Sequence, residues 1–202
     1  MGHPQLATQH LSIDEWLALE QSTGERYEYH FGEVFAMAGG TRAHSLISGN
    51  AFYAVENNFR TKGLPCETHT SDLKIEVNAK GRYVYPDTLA VCDEIEESDK
   101  VTGAITNPRL VIEVTSESSG EYDRGAKFRY YSRLPSVREY LILEQTQMAA
   151  TLYRRGEAGG LFVRLDYEGP ASILELRSVE LEVTLDVFYR RVEFVSKEKE
   201  AN

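Results

Sequence analysis

Apolar residues recur at intervals of three and four in three segments of this chain, a spacing typical of helices with one buried face. The first segment follows Ser12, which stands three residues before Glu15 as in a capping box, and the pattern continues to about Gln21. The second segment covers residues 41–60, and the third covers residues 123–133, shortly before a proline. We therefore predict three main helices.

Between these segments, short runs rich in β-branched and aromatic residues predict strands. Residues 27–30 and 33–37 flank a Phe-Gly pair as a predicted hairpin, and residues 67–77 and 82–92 form a second hairpin around the turn at 78–81. The remaining predicted elements are strands at 110–114, 137–143, 150–154, 161–167 and 173–176, and a closing helix at 185–192. This order predicts an α/β fold, with a central mixed β-sheet flanked by the second and third helices.

The segment 93–107 is longer than most connections in compact domains and carries a run of acidic residues. It has two interpretations: a lid or specificity loop over a site, or a mobile, solvated excursion. The acidic run favours the solvated excursion.

With 202 residues, the chain has the length of one domain with a sizeable core. We predict a single domain over residues 1–195 and a disordered tail over residues 196–202. The formal net charge of −10 argues against broad, sequence-independent binding of nucleic acid, which needs basic surface opposite the phosphates. A local basic segment is nevertheless present, made of Arg124, Lys127, Arg129 and Arg133.

Two cysteines, Cys66 and Cys92, form no disulfide framework and lack the spacing of a zinc site. Cys92 lies in a predicted strand and Cys66 lies at the start of another, so we expect both to pack as small apolar side chains. The N-terminal residues contain no apolar stretch behind basic residues, and no apolar run reaches membrane-spanning length. These features predict a soluble, cytoplasmic protein that is not bound to a membrane.

Candidate chemistry begins with Glu113, which interrupts the apolar run 110–114. A carboxylate in a buried strand is costly unless it is paired or binds a cation. Asp87 lies in a neighbouring predicted strand, and Lys127 lies near the start of the third helix. Two carboxylates suit Mg²⁺, which polarises phosphoryl oxygens and lowers the pKa of bound water. A lysine would orient that water or neutralise the charge that develops on the phosphate.

Each of these residues also has a purely structural interpretation. Glu113 can pair with an arginine or a lysine, and Asp87 can serve a turn at the start of a strand. Asp123 and Lys127 have the spacing of an ordinary ion pair on a helix surface. A histidine in the first turn of a helix, such as His44, is more often a capping or packing residue than a catalytic one. If Asp87 and Glu113 do face each other without a metal, at least one of their pKa values should be raised.

The paired acids, Pro86-Asp87 and then Glu113-Val114, resemble the signature of the PD-(D/E)XK nuclease superfamily. A wider set of motifs over residues 11–192 is similar to the Uma2 family of restriction endonuclease-like proteins, also called DUF820. These motifs are Gly32-Glu33-Val34, Met37-Ala38-Gly39-Gly40 with His44, Ser71-Asp72-Leu73-Lys74, Tyr85-Pro86-Asp87, Glu113-Val114 with Ser116, and Tyr122-Asp123 with Lys127 and Tyr131.

The chain departs from the superfamily pattern at one position. The pattern has a lysine two residues after the second acid, where this chain has Thr115. Lys127 is the candidate to take over its role, and Lys74 is the alternative.

The resemblance implies a restriction endonuclease-like fold and metal-dependent hydrolysis of DNA phosphodiester bonds. Asp87 and Glu113 would bind Mg²⁺ or Mn²⁺, and Lys127 would position the attacking water. Second-rank catalytic candidates are Glu33 and Lys74, and candidates for substrate contact are Arg42 and Arg124. DNA is the implied partner, and a homodimer would supply the two active sites needed to cut both strands of a duplex.

Two alternatives stay open. The acidic net charge and Thr115 favour an inactive nuclease-fold module that binds nucleic acid or protein. A metal-dependent phosphohydrolase acting on RNA or nucleotides is the other alternative. A serine hydrolase using Ser116 or Ser118 is disfavoured, because no nucleophile-elbow motif surrounds either serine.

Overall fold

A computed structural model describes residues 5–8, 10–37, 40–78, 81–115, 122–157 and 160–194. The helices are α1 (Ile13–Thr23), α2 (Arg42–Lys62) and α3 (Phe128–Tyr131), and a π-helical turn at Asp123–Lys127 leads directly into α3. The strands are β1 (Gln5–Thr8), β2 (Tyr27–His30), β3 (Glu33–Ala36), β4 (Glu67–Thr70), β5 (Lys74–Asn78), β6 (Arg82–Val84), β7 (Thr88–Val91), β8 (Ala104–Ile105), β9 (Leu110–Thr115), β10 (Glu139–Glu144), β11 (Ala149–Arg155), β12 (Phe162–Glu168), β13 (Ile173–Leu176) and β14 (Leu181–Thr184).

The strands form two six-stranded sheets and one small ribbon. The first sheet has the order β1-β3-β2-β6-β5-β8, the second has the order β12-β11-β10-β9-β7-β4, and β13 pairs with β14. In the second sheet β9 and β10 are parallel while the other neighbours are antiparallel. The predicted α/β class with a mixed sheet is confirmed.

Both arms of the predicted hairpin 67–92 are divided between the two sheets. Its first arm breaks into β4 and β5 at the turn that contains Asp72, and its second arm breaks into β6 and β7 at Pro86 and Asp87. Proline cannot donate a hydrogen bond to a sheet ladder, so Pro86 ends one strand before the next begins. Asp87 consequently lies where the chain crosses from one sheet to the other.

Strand β9 is buried on both faces. Leu110 and Ile112 belong to the core cluster that includes Ile47 and Val55 of α2, whereas Val111 packs in the cluster on the opposite face. Because side chains alternate along a strand, Glu113 faces the same side as Val111. The apolar run thus holds a carboxylate beneath the turn that precedes α3.

The predicted capping box at the start of α1 is confirmed. The backbone N–H of Glu15 donates to Ser12 Oγ, and the Ser12 N–H donates to the Glu15 carboxylate. Trp16 of α1 is fully buried, and its Nε1 donates to the Tyr27 carbonyl at 2.9 Å. This contact fixes α1 against β2.

The segment 93–107 is solvated in part, as expected, and packed against the first sheet in part. Val101 and Ala104 are buried, and the Ser98 hydroxyl donates to the Glu76 carboxylate. The Asn107 side chain donates to the Glu94 carbonyl at 2.8 Å. The acidic side chains of the segment face outward while its small apolar residues anchor it to the first sheet.

The predicted closing helix at 185–192 is also wrong. The structure has only a 3₁₀ turn at Leu185–Val187, after a strand, β14, that was not predicted. Leu185 and Phe188 are buried against the core by this turn. Residues 196–202 lie outside the described part of the chain.

Cys66 and Cys92 are joined by a disulfide, with their Cα atoms 4.0 Å apart. The expectation that each cysteine only packs as a small apolar side chain is therefore wrong. Glu67 of β4 pairs with Val91 of β7, and this register places the two cysteines opposite each other at the next position. Within the described residues, no helix has the length and apolar character that crossing a membrane requires.

Replacing both cysteines by serine should lower the free energy of unfolding by about 3 kcal/mol, because the crosslink closes a loop with a sequence separation of 26. Urea denaturation of the oxidised wild type, the reduced wild type and the double variant measures this loss. The midpoint of the double variant should not respond to reductant. Equal midpoints for oxidised and reduced wild type would contradict the crosslink.

Candidate active site

Five charged side chains meet between β2, β9 and the turn before α3. They are Glu28, Asp87, Glu113, Asp123 and Lys127, and we refer to them as the acidic cluster. Glu28 comes from the first sheet, Glu113 comes from the second, and Asp87 comes from the crossing between them. The acidic cluster therefore forms only when the two sheets are joined as in this fold.

Lys127 is the cation of the cluster. Its Nζ lies 3.0 Å from Glu113 Oε1, 3.6 Å from Glu28 Oε1 and 3.7 Å from Asp123 Oδ1. Only 12% of its side chain is exposed. Burial lowers the pKa of Lys127, but the three carboxylates outweigh burial and raise that pKa well above its ordinary value. The three carboxylates therefore favour the charged form of Lys127.

The π-helical turn aims Lys127 at the cluster. The Phe128 N–H reaches back five residues to the Asp123 carbonyl, and the Tyr140 hydroxyl donates to the same oxygen at 3.1 Å. The Asp123 carboxylate accepts from the hydroxyl of Thr115. Thr115, which occupies the position of the superfamily lysine, therefore supports the turn that carries Lys127.

Glu113 is almost fully buried and is held by two donors. The Tyr131 hydroxyl donates to Glu113 Oε1 at 2.8 Å, and Lys127 approaches the same oxygen. Burial raises the pKa of Glu113 to about 8, with Lys127 opposing the shift and Asp87, Asp123 and Glu28 adding to it. The predicted rise in the pKa of one acid is confirmed in direction, although burial contributes more than the neighbouring charges.

Asp87 is oriented by two contacts to one oxygen. Its Oδ2 accepts from the Val114 N–H at 2.7 Å, and His44 Nε2 lies 3.2 Å from the same atom. Burial lowers the pKa of His44, whereas the contact with Asp87 raises it. The effect of Asp87 outweighs that of burial, so the net shift of this pKa is upward. The His44 backbone N–H also donates to Thr41 at the start of α2. His44 therefore connects the cap of α2 to Asp87 of the acidic cluster.

Glu28 was missed by the sequence reasoning. It is 4% exposed, and its pKa is lowered because Lys127 and His30 outweigh the opposing effect of burial. The available signal was a carboxylate between Tyr27 and Tyr29 in a short strand, the same kind of signal that identified Glu113. Its partner Lys127 is distant in sequence, so nothing local connected the two residues.

The structure does not bring the second-rank candidates into the cluster. Lys74 Nζ lies 3.2 Å from Glu20 and 5.6 Å from the ring centres of Trp16 and Tyr85. Glu33 is exposed on β3, and in the described part of the chain it makes no ion pair with Lys127.

The candidates for substrate contact differ in their surroundings. Arg42 is exposed in the first turn of α2, two residues before His44. Arg124 pairs with Glu144 of β10. The motif residues Ala38, Gly39 and Ser116, and also Ser118, lie outside the described residues.

The donor set of the cluster suits a hard divalent cation. In the described ranges, no group of three or more His, Cys, Asp or Glu side chains is arranged to hold a metal by itself. Mg²⁺ usually takes only one or two protein carboxylates and completes its shell with water and phosphate oxygens. The carboxylates of Glu28, Glu113 and Asp123 share one lysine, so the cluster holds an excess of negative charge. Asp87 and Glu113 thus fit as ligands of a cation that a phosphate substrate helps to bind.

Comparisons with known proteins identify the family of this chain. The Uma2 family model, described as "Putative restriction endonuclease", matches residues 13–187. The uncharacterized protein slr1290 of Synechocystis sp. is 38% identical over 184 residues, which cover 91% of this chain and 94% of that protein. The uncharacterized protein sll1609 of the same organism is 29% identical over 138 residues, covering 68% of this chain and 77% of that protein.

A solved structure shares the fold. The crystal structure of a "putative nuclease belonging to DUF820" from Anabaena variabilis matches this chain with a TM-score of 0.70. The match covers 89% of this chain and 97% of that chain, at 13% sequence identity. The restriction endonuclease-like architecture is therefore confirmed.

Glu113 should make the metal-free protein less stable as the pH rises from about 4.5 to about 8. Its pKa is about 8 in the folded state against an ordinary value of 4.5, so in this window the folded state binds more protons than the unfolded state. Glu113→Gln keeps an acceptor for Tyr131 and cannot ionise. In melts with chelator, the wild-type Tm should fall relative to that of the variant across the window, and parallel Tm curves would contradict this.

Proposed function

This chain belongs to the Uma2 family of restriction endonuclease-like proteins, and from that premise we propose that it is a metal-dependent endonuclease that hydrolyses DNA phosphodiester bonds. Family membership and the shared fold support a nuclease-like function. The proposal is carried by one observation, the distance of 3.0 Å between Lys127 Nζ and Glu113 Oε1 in the acidic cluster. This contact brings a lysine to the second acid although Thr115 occupies the lysine position of the superfamily pattern.

Asp87 and Glu113 would hold the cation, Mg²⁺ or Mn²⁺. When bound, such a cation polarises a phosphoryl oxygen and lowers the pKa of a bound water. Glu28 adds a further buried carboxylate, whose negative charge favours binding of the cation. No other cofactor is required for hydrolysis.

The protein's own groups position the reactants. Lys127, held by three carboxylates, would orient the attacking water and offset the negative charge that develops on the phosphate. His44 and the Val114 N–H fix one oxygen of Asp87, and the Tyr131 hydroxyl fixes one oxygen of Glu113. Rigid carboxylates of this kind lower the cost of organising the site during the reaction.

Substrate contact would come from local positive charge, because the chain as a whole carries a net charge of −10. Arg42 is exposed near His44 and is the stronger of the two candidates. Arg124 could reach a phosphate only by leaving Glu144. Binding that depends on few cations should show a shallow dependence on salt. A second copy of the chain would be needed to cut both strands in one encounter.

Purified wild type with Mg²⁺ or Mn²⁺ should nick plasmid DNA, and Asp87→Ala and Glu113→Gln should each abolish nicking. Lys127→Met should reduce the rate by at least about 100-fold, the usual scale for removing one group that stabilises transition-state charge. Lys74→Met is the matched lysine variant and should remain active. Chelator should stop the reaction.

The same assay separates the alternatives. The assignment of the catalytic residues would be contradicted by activity that persists in Asp87→Ala and Glu113→Gln. Loss of activity in Lys74→Met but not in Lys127→Met would contradict it as well. Cleavage of RNA or a small phosphoester without cleavage of DNA would favour a different phosphohydrolase. DNA binding without cleavage of any substrate would favour the inactive module.

Mg²⁺ should also raise the Tm of the wild type, because a ligand that binds only the folded state stabilises it by mass action. At a concentration 100 times the Kd, the gain is about 2.7 kcal/mol, or roughly 5–10 °C for a chain of this size. Asp87→Ala should show no such increase at the same concentration. An equal increase in both proteins would place the cation elsewhere.

A further inference from the structure

A cavity of about 460 Å³ lies beside the acidic cluster, and the proposed hydrolysis does not use it. This volume is within the range of small-molecule sites. Its main lining residues are His30, Phe31, Phe35, Arg82, Tyr122 and Tyr130. The lining is mostly aromatic, so the cavity favours a flat ligand.

Three of these side chains form a stack that ends at an exposed ring. The guanidinium carbon of Arg82 lies 3.7 Å from the ring centre of Tyr130 and 4.6 Å from that of Phe31. Phe31 is 51% exposed, whereas a phenylalanine in a stable packing role is usually buried. Arg82 thus lies against both rings, and the exposed part of the Phe31 ring leaves room for a further planar group to stack.

The backbone at Phe31 is strained. Phe31 and Gly32 form the two-residue turn between β2 and β3, with φ values of 56° and 101°. Positive φ at both positions favours Asn-Gly, and a bulky residue there is an outlier that costs stability. Strain of this kind concentrates at binding sites. An exposed aromatic ring at a position where the fold prefers asparagine indicates a role in binding.

The cavity is connected to the acidic cluster through two residues of β2. His30, which lines the cavity, has its Nε2 3.3 Å from Glu28 Oε2. Glu28 Oε1 is in turn 3.6 Å from Lys127 Nζ. A nucleotide whose phosphate lies at the cluster would therefore have its neighbouring base close to the cavity.

We propose that the cavity binds one unpaired nucleobase of the substrate strand, stacked on Phe31, next to the phosphate that is hydrolysed. A phosphate is a poorer occupant, because the Glu33 carboxylate also lines the cavity. Aromatic rings stack on any base, and a base can enter a pocket only when it is unpaired.

This inference rests on the proposed nuclease function and narrows its substrate. The preferred substrate is a nucleic acid with an unpaired nucleotide beside the scissile bond, as in a single strand or a flap. A fully paired duplex has to release a base before it fits, which costs stacking and pairing energy.

The test measures binding of a single-stranded DNA oligonucleotide that contains 2-aminopurine. The fluorescence of the 2-aminopurine base reports binding. Chelator is present so that the DNA is not cut. A duplex of the same sequence is titrated in parallel at low salt. Wild type should bind the single strand more tightly than the duplex. Phe31→Asn should weaken single-strand binding about 5- to 150-fold, the range for loss of one stacked base.

Phe31→Asn suits this test because asparagine is favoured in the turn, so its Tm should equal or exceed that of the wild type. Tyr53→Ala removes another exposed aromatic ring, 65% accessible on α2 outside the cavity, and should leave binding unchanged.

Unchanged single-strand affinity in Phe31→Asn, or no single-strand binding by wild type, would overturn the inference. Either result leaves the plasmid assay to decide hydrolysis separately. Binding that depends on Phe31, combined with no cleavage, would support the base site and overturn the nuclease function.

Discussion

The burial of the Lys127 ammonium is the constraint on which the rest of the site depends. A buried cation is tolerated only when oppositely charged groups surround it, and removing one of them leaves an uncompensated charge. Its carboxylate partners come from three separate elements: Glu28 from β2, Glu113 from β9 and Asp123 from the turn before α3. The first two elements belong to different sheets. The ion cluster therefore joins the two sheets and is also the candidate site, so stability and chemistry depend on the same atoms.

The negative charges of the acidic cluster outnumber its positive charges. Four carboxylates face one lysine, with His44 at the edge beside Asp87. In the free protein a proton on Glu113 reduces the excess of negative charge, which is the physical meaning of its raised pKa. In the proposed function, a cation and the phosphate of a substrate would change this balance together, because the first would supply the missing positive charge and would neutralise the second. Such a site would bind its cation and its substrate more strongly together than separately.

Features with a strong local signal could be predicted from the sequence. The capping box at Ser12, the hairpin at Phe31 and the carboxylate in the apolar run of β9 are of this kind. Contacts between distant segments could not be predicted from local patterns, because the register of two strands depends on both of them together. Glu28 and the disulfide were missed for this reason. Pro86 was a visible signal that the strand around it is broken, and the division of that strand between two sheets follows from it.

The π-helical turn shows what a single residue contributes to this fold. A turn of this type holds one residue more than an α-helical turn, and in an α-helix each residue advances the chain by about 100° around the axis. With this extra residue between the flanking elements, Lys127 Nζ lies 3.0 Å from Glu113 Oε1. A side chain added at Gly125 would meet no heavy atom within 4 Å. The residue type at Gly125 is thus unconstrained by its neighbours, whereas Asp123 and Lys127 of the same turn are fixed by their contacts in the acidic cluster. At Gly125 the number of residues in the turn therefore matters more than the side chain.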